Sequence, residues 1–198
     1  MANSNKPFGF RPHSTLNAAS YTGQIRKFFV DASDSTAFYV GDPVILDGTE
    51  GNLYVNDHPV AGVTKAGTAT TEEIVGICVG VEPLYSDLEL KYRKASTGMY
   101  VFVDTDPNTV YEVQGDSDTY ATADIGLNTN FALSSGSTTT GVSNAVWDQD
   151  TVATTTTLPF KIIGSSPAPD NDVSTSAVYP RVLVKINNHA FGNVTQGA

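Results

Sequence analysis

Two short apolar stretches, 38-FYVGDPVILDG-48 and 72-EEIVGICVGVEP-83, carry the clearest structural signals in the chain. A Gly-Asp-Pro sequence at residues 41–43 interrupts the first, whereas residues 74–81 of the second are dense in β-branched side chains. Such side chains lose rotamer freedom in helices and pack well on a pleated sheet. Both runs are bounded by glycine and proline and are too short for typical helices, so they predict two strands. The nearly continuous apolar character of the second run predicts a strand covered on both faces.

Similar short runs recur along the rest of the chain. Further candidate strands cover residues 24–30, 59–63, 99–103, 110–113, 159–164 and 181–186. The runs at 99–103 and 110–113 flank a polar Asp-Thr-Asp-Pro-Asn sequence and predict a hairpin, and residues 119–127 predict one short turn of helix. Eight or nine short strands with many turns predict an all-β domain, folded as a β-sandwich or a small β-barrel.

The first twenty residues differ from the remainder of the chain. Pro7 and Pro12 lack amide donors and disfavour helix, and Phe8 and Phe10 are isolated apolar residues without periodicity. Residues 1–20 therefore predict an extended arm, docked on its own body, on a neighbouring copy or on another protein.

The rest of the chain, residues 21–198, predicts a single β-rich domain with long loops. Residues 134–157 are rich in serine and threonine and contain the only tryptophan, Trp147. We expect this segment to be an ordered but exposed excursion from the domain, because threonine favours extended structure.

The charge distribution and the composition exclude several classes of partner. The net charge is −10, and residues 95–160 hold eight acidic residues and no basic one, so the body repels phosphate and predicts no nucleic-acid partner. The lone cysteine, Cys78, lies in an apolar run and predicts a core residue. No apolar run is long enough to span a membrane or to form a leader sequence, so we expect synthesis in the cytoplasm and no membrane partner.

Residues that could carry chemistry are sparse. The three histidines show no metal-binding spacing and no Gly-x-Ser-x-Gly sequence is present, so we expect neither an enzyme nor a cofactor. Four Asp-x-Asp pairs could supply oxygen ligands to calcium, although aspartate is also common in turns. The calcium candidates among them are Asp104, Asp106, Asp170 and Asp172.

A set of aromatic and basic residues outside the apolar runs predicts an interface with another protein. Aromatic side chains often anchor subunit contacts, and a basic segment can contact an acidic partner. The candidates are Lys6, Phe8, Phe10, Arg11, Trp147, Tyr179 and Phe191.

Several segments, taken in order, resemble a group of tailed-phage virion proteins that are described as head decoration or cement proteins. The resemblance is carried by NKPFGFRP (5–12), VGDPVILDG (40–48), EEIVGICVGVEP (72–83), GMYVFVDTDPNTVYEVQ (98–114), ADIGLN (123–128), LPFKIIG (158–164) and RVLVKINNH (181–189). The Gly-Asp-Pro-Val turn with its following strand also looks like the small β-barrel of lambdoid-type decoration proteins. No motif of this group matches residues 134–157.

The resemblance implies a protein of the virion, located on the outer surface of a bacteriophage head after synthesis in the host cytoplasm. It implies binding to the major capsid protein, stabilisation of contacts between capsomers, and self-association in which a trimer is favoured. It implies no catalytic residues. The alternative is a virion spike or fibre module that binds host-surface glycans through aromatic loops around Trp147.

Overall fold

The computed structural model of the chain describes residues 3–48, 54–55 and 58–192. This part of the chain contains thirteen strands and one short 3-10 turn. The strands are β1 (Arg11–Thr15), β2 (Ile25–Val30), β3 (Pro43–Leu46), β4 (Tyr54–Val55), β5 (His58–Pro59), β6 (Val63–Lys65), β7 (Gly76–Val81), β8 (Met99–Asp104), β9 (Thr109–Gln114), β10 (Asn128–Ala132), β11 (Val146–Ala153), β12 (Phe160–Ser165) and β13 (Arg181–Ile186). The 3-10 turn covers Thr122–Asp124, where the sequence predicted one turn of helix.

The strands form two main antiparallel sheets, which confirms the predicted all-β class. The order is β1-β9-β13-β12-β10-β11 in the six-stranded sheet and β2-β8-β7-β3-β6 in the five-stranded sheet, and β4 and β5 form a separate ribbon. All strand pairs named in these sheets are antiparallel. The two sheets pack on each other in a sandwich-like arrangement.

The five-stranded sheet curls until its two edge strands meet. A parallel bridge joins Phe29 of β2 to Gly62, just before β6, and the amide of Phe29 donates to the carbonyl of Ala61 at 3.2 Å. This closure produces a small barrel with its own apolar interior. The interior consists of Phe28, Val30, Phe38, Val44, Val63, Val75, Cys78, Val101 and Val103.

A second core fills the space between the barrel and the six-stranded sheet. Its largest fully buried members are Phe10, Ile74, Ile77, Tyr111, Phe131, Trp147, Phe160, Ile162 and Ile186. Strand β7 contributes to both cores, because Ile77 faces the six-stranded sheet and the adjacent Cys78 faces the barrel interior. The predicted strand with two covered faces is thus confirmed for residues 76–78, which are all buried.

Strands β8 and β9 do not form the predicted hairpin. Strand β8 belongs to the five-stranded sheet and β9 to the six-stranded sheet, so residues 105–108 carry the chain from one sheet to the other. The polar sequence does form a turn, in which Asp106 accepts the amide of Asn108 at 2.8 Å through its carboxylate. The prediction was wrong about the partners of the two strands, which are distant in sequence.

The expected exposed excursion at residues 134–157 is also wrong in its second half. Residues 146–153 form strand β11, which pairs with β10 and places Trp147 opposite Phe131. Trp147 is only 1% exposed and belongs to the core. Threonine-rich sequence favours strands, and here it forms β11, an edge strand of the six-stranded sheet.

The N-terminal segment docks on its own body rather than extending from it. Strand β1 pairs with β9, with Arg11 opposite Glu112. Phe10 is 2% exposed and its ring stacks on that of Phe160 with centroids 4.3 Å apart. Residues 11–15 are therefore part of the six-stranded sheet, and Phe10 is part of its core.

A fully buried carboxylate, that of Asp42, joins the barrel to the other sheet. It accepts hydrogen bonds from the amide of Tyr39 at 2.9 Å and from the hydroxyl of Ser143, and it forms an ion pair with Lys65 at 2.9 Å. Ser143 lies in the segment that leads into β11, and its hydroxyl oxygen accepts the amide of Ala145. We call these contacts the Asp42 network.

The backbone beside Asp42 is packed too closely for side chains. Gly41 has a φ of 98°, a conformation that favours glycine, and its carbonyl accepts the amide of Phe10 at 3.0 Å. A Cβ atom at Gly9 would lie 2.7 Å from the Cβ atom of Ser143 and 2.8 Å from the carbonyl oxygen of Gly41. Three chain segments thus cross here with no space for larger residues.

Replacing Asp42 by alanine should lower the free energy of unfolding by about 3–5 kcal/mol, because Lys65 would stay buried without its counter-charge. Urea denaturation followed by the fluorescence of the buried Trp147 measures this change. Asp87→Ala is the matched control, since it breaks a solvent-exposed pair with Lys94 and should cost less than about 1 kcal/mol. Equal losses in both variants would contradict the assigned role of Asp42.

Candidate protein-interaction surface

Three of the seven predicted interface residues meet at one polar cleft. Lys6, Phe8 and Arg11 line it. The cleft has a volume of about 310 Å³, and its other lining residues are Asn3, Ser4, Gln114, Asp170 and Arg181. The guanidinium of Arg11 lies over the ring of Phe8 at 4.6 Å, and the amide of Lys6 donates to the side-chain oxygen of Gln114 at 2.9 Å.

The charges in this cleft are largely compensated. Glu112 projects from β9 on the face away from the core and is bound by Arg11, by Arg181 at 4.0 Å and by the hydroxyl of Ser166 at 2.6 Å. Burial alone would raise the pKa of Glu112, but the hydrogen bonds from Ser166 and Arg11 and the two positive charges hold it below its usual value. The cleft therefore fastens the N-terminal segment to β9 and β13.

Two of the predicted interface residues are not available to a partner. Phe10 and Trp147 are core residues, because both side chains point to the inner face of the six-stranded sheet. The indole nitrogen of Trp147 points to the carbonyl of Pro180 at 3.5 Å. Their predicted role at an interface is wrong. Phe10 of the predicted arm packs against the six-stranded sheet, and Trp147 of the predicted loop lies within a strand of that sheet.

The remaining two predicted residues lie apart from each other. Tyr179 is partly buried beside the polar cleft, where its carbonyl accepts from the amide nitrogen of Gln114 at 3.4 Å. Phe191 is half exposed, and the guanidinium of Arg26 lies 5.9 Å from its ring centroid. The structure thus groups Tyr179 with the cleft and leaves Phe191 on another part of the surface.

The four calcium candidates make hydrogen bonds and ion pairs within the chain. Asp104 is fully buried and accepts from the hydroxyl of Tyr111 at 3.1 Å and from the amide of Asp106 at 3.2 Å. Asp170 pairs with Arg181, and Asp172 accepts the amide of Ser174 at 3.0 Å. Across residues 3–48, 54–55 and 58–192, no three histidine, cysteine or acidic side chains are arranged to hold a metal ion.

A buried histidine, His189, lies three residues after the end of β13. Its Nδ1 atom accepts the amide of Phe191 at 3.0 Å, and its side chain is 2% exposed. Burial lowers the pKa of His189 to about 4; the negative charge of Asp106 opposes this shift and the positive charge of Lys185 adds to it. The imidazole is therefore neutral at neutral pH.

Among the described residues, the most exposed large apolar side chains lie on a loop that follows β7. Tyr85 has a relative exposure of 101% and Leu88 one of 73%. The loop, residues 84–91, begins with a tight turn in which the amide of Asp87 donates to the carbonyl of Leu84 at 3.0 Å. We call it the Tyr85 loop. The signal that could have found it is its two non-periodic apolar residues within a charged sequence.

The base of the Tyr85 loop is held firmly. The guanidinium of the fully buried Arg93 donates to the carbonyls of Asp31, Thr36 and Thr97. The ring of Tyr92 stacks on that of Tyr39 with centroids 5.1 Å apart. Tyr85 and Leu88 thus project from a loop whose base is fixed by these contacts.

An apolar groove opens elsewhere, between the N-terminal segment and the barrel. Its volume is about 490 Å³. It is lined by Phe8, Phe10, Arg11, Pro12, Tyr21, Ile25, Val40, Gly41, Cys78, Val79 and Val142. The groove places apolar surface next to Ile25, which is itself half exposed. We call it the N-terminal groove.

In the part of the chain that the structure describes, no helix is long and apolar enough to cross a membrane. Comparison with family models, with curated proteins and with solved structures finds no match for this chain.

The low pKa of His189 predicts a specific loss of stability in acid. Because the folded state binds a proton less readily than the unfolded chain, whose histidine pKa is near 6.5, stability is complete above pH 6.5 and falls towards pH 4. At pH 4 the titration of His189 should lower the free energy of unfolding by roughly 3 kcal/mol relative to its value at pH 7. Burial raises the pKa of Asp104, which has the opposite effect, so the contribution of His189 must be isolated by substitution.

The measurement compares urea denaturation of the wild type and of His189→Asn between pH 7 and pH 4. The asparagine oxygen can still accept the amide of Phe191, but it does not titrate. We expect the stability of the wild type to fall relative to that of the variant as the pH decreases. If the difference in stability between the wild type and the variant does not change with pH, the assigned low pKa of His189 is wrong.

Proposed function

We propose that this chain is a head decoration or cement protein of a tailed phage. It binds the outer surface of the head and stabilises contacts between capsomers of the major capsid protein. The proposal is supported by the resemblance of seven segments of the chain to such proteins and by the all-β fold. The observation that carries it is the Tyr85 loop, a rigidly based loop with two large apolar side chains in solvent.

Exposed apolar side chains of this size are characteristic of contact surfaces. Water contact with Tyr85 and Leu88 is unfavourable in the isolated chain and is relieved when a partner covers them. Aromatic residues at the centre of an interface often carry much of the binding energy. Because Arg93 and Tyr92 fix the base of the loop, less conformational entropy is lost on binding than for a free segment.

The N-terminal segment contributes less to this function than the sequence suggested. Phe10 is buried and the guanidinium of Arg11 is paired with Glu112, whereas the side chain of Lys6 is exposed. Deletion of residues 2–20 would remove β1 and a core aromatic ring, so it would test folding instead of binding.

The glycan-binding alternative depended on Trp147 being presented by an exposed loop. Because Trp147 is buried in the core, this support is lost. The decoration role is therefore the function that the surface favours.

A double variant, Tyr85→Ser with Leu88→Ser, should bind phage heads that lack this protein at least about 30-fold more weakly than the wild type, since the loss of even one anchor residue costs about 2 kcal/mol. Co-sedimentation of purified protein with such heads measures the affinity.

Ile125→Ser is the matched control, because Ile125 is also a half-exposed apolar residue but lies away from the loop, beside the 3-10 turn. Unchanged urea midpoints would show that all variants are folded. If the double variant decorates heads as tightly as the wild type, the proposed role of the Tyr85 loop is wrong. If the wild type does not bind heads, the proposed function itself is wrong.

A further inference from the structure

We propose that residues 134–142, the serine- and threonine-rich segment that precedes β11, position the Tyr85 loop for binding to phage heads. This inference rests on the proposed function, because it assigns a positioning role at the same contact surface. The segment matches no motif of the decoration proteins. The structure packs it against the base of the loop at two glycines, Gly136 and Gly141.

Residues 137–142 form a closed turn within this segment. The amide of Gly141 donates to the carbonyl of Ser137 at 2.7 Å, and the amide of Ser137 donates to the carbonyl of Val142 at 2.9 Å. The hydroxyl oxygen of Ser137 also accepts the amide of Thr140 at 3.2 Å. These hydrogen bonds hold the turn in one conformation, so it can support a neighbouring loop.

The first glycine, Gly136, lies against the aromatic ring of Tyr39. A Cβ atom at Gly136 would lie 2.3 Å from Cγ of Tyr39 and 2.6 Å from each Cδ atom of that ring. The ring of Tyr39 in turn stacks on that of Tyr92, at the base of the Tyr85 loop, with an angle of 8° between the ring planes. Any side chain at Gly136 would therefore displace the ring on which Tyr92 rests.

The second glycine, Gly141, contacts the end of the Tyr85 loop directly. Its φ of 76° is a conformation that favours glycine, and a Cβ atom there would lie 2.3 Å from the carbonyl oxygen of Lys91, the last residue of the loop. The carbonyl of Gly141 accepts the amide of Val40 at 2.9 Å, and Phe38 exchanges backbone hydrogen bonds with Arg93. The turn is thus attached to the loop at Lys91 and through the chain around Phe38.

Positioning matters because Tyr85 and Leu88 are exposed and can anchor a partner only where the loop holds them. A loop that is held in its binding conformation loses less conformational entropy when a partner covers it. A side chain at either glycine would shift the base of the loop without changing any residue of the loop. The affinity for heads should therefore depend on Gly136 and Gly141.

Gly136→Ala and Gly141→Ala are the test variants, and each has a matched control. Gly164→Ala is the control for Gly136→Ala, because neither glycine has a positive φ. Gly126→Ala is the control for Gly141→Ala, because Gly126 has a φ of 88°. A Cβ atom at either control position would meet no heavy atom of the described residues within 4 Å. The controls therefore reproduce the change of residue and the backbone strain without the close contact.

Two measurements on the full chain test the inference: hydrogen–deuterium exchange of residues 84–94, and co-sedimentation with phage heads that lack this protein. We expect residues 84–94 of both test variants to exchange at least about tenfold faster than those of the wild type, because the base of the loop opens more often. We expect the same variants to bind heads at least about tenfold more weakly. Both controls should match the wild type, and exchange in β13 should stay unchanged in all four variants.

A further variant tests the same connection if the two glycine variants do not fold. Tyr92→Ala removes the ring that stacks on Tyr39 and leaves residues 134–142 and the Tyr85 loop unchanged. Because Tyr92 is only partly buried, this variant should fold. It should show the same faster exchange at residues 84–94 and the same weaker binding to heads.

Three results would overturn the inference: unchanged exchange of residues 84–94 in the test variants, faster exchange there with unchanged affinity for heads, or equally faster exchange in β13, which would show a general loss of stability. If Tyr85→Ser with Leu88→Ser weakens binding to heads and the glycine variants do not, only this inference is wrong. If the wild type does not bind heads, the proposed function is wrong, and the exchange measurement still decides whether residues 134–142 hold the loop in place.

Discussion

The buried carboxylate of Asp42 is the constraint on which the arrangement of the two sheets depends. A charge without water is tolerated only when other groups compensate it, and here Lys65, Ser143 and the amide of Tyr39 do so. These groups come from the barrel and from the segment that enters the six-stranded sheet, so their positions are fixed together. The same turn of the chain also holds Phe10 through the carbonyl of Gly41.

Both candidate surfaces are attached to this turn. Phe38 exchanges backbone hydrogen bonds with Arg93, and Tyr39 stacks on Tyr92, so the base of the Tyr85 loop is fixed to residues just before Asp42. Gly41 and Val142 line the N-terminal groove on the other side. A change in the Asp42 network would therefore alter the loop and the groove together.

Local sequence patterns predicted the more apolar strands but not β1, β10 or β11, and they predicted long-range pairing poorly. The alternation at Arg181–Ile186 appears in the structure as alternating burial, and the β-branched run ending at Val81 forms β7. The order of strands in a sheet depends instead on partners distant in sequence, such as Arg11 and Glu112, which leave no local signal. The candidate surface was hard to predict for the same reason. Whether Phe10 and Trp147 are buried and Tyr85 is exposed depends on contacts between segments that are distant in sequence.

Strand β7 relates the two surfaces geometrically. Its residues Cys78 and Val79 line the groove, and the chain leaves its end at Val81 to enter the Tyr85 loop. Burial raises the pKa of Cys78 to about 12, so its thiol serves packing and not reactivity. Strand β7 thus fixes the position of the Tyr85 loop relative to the N-terminal groove within one chain.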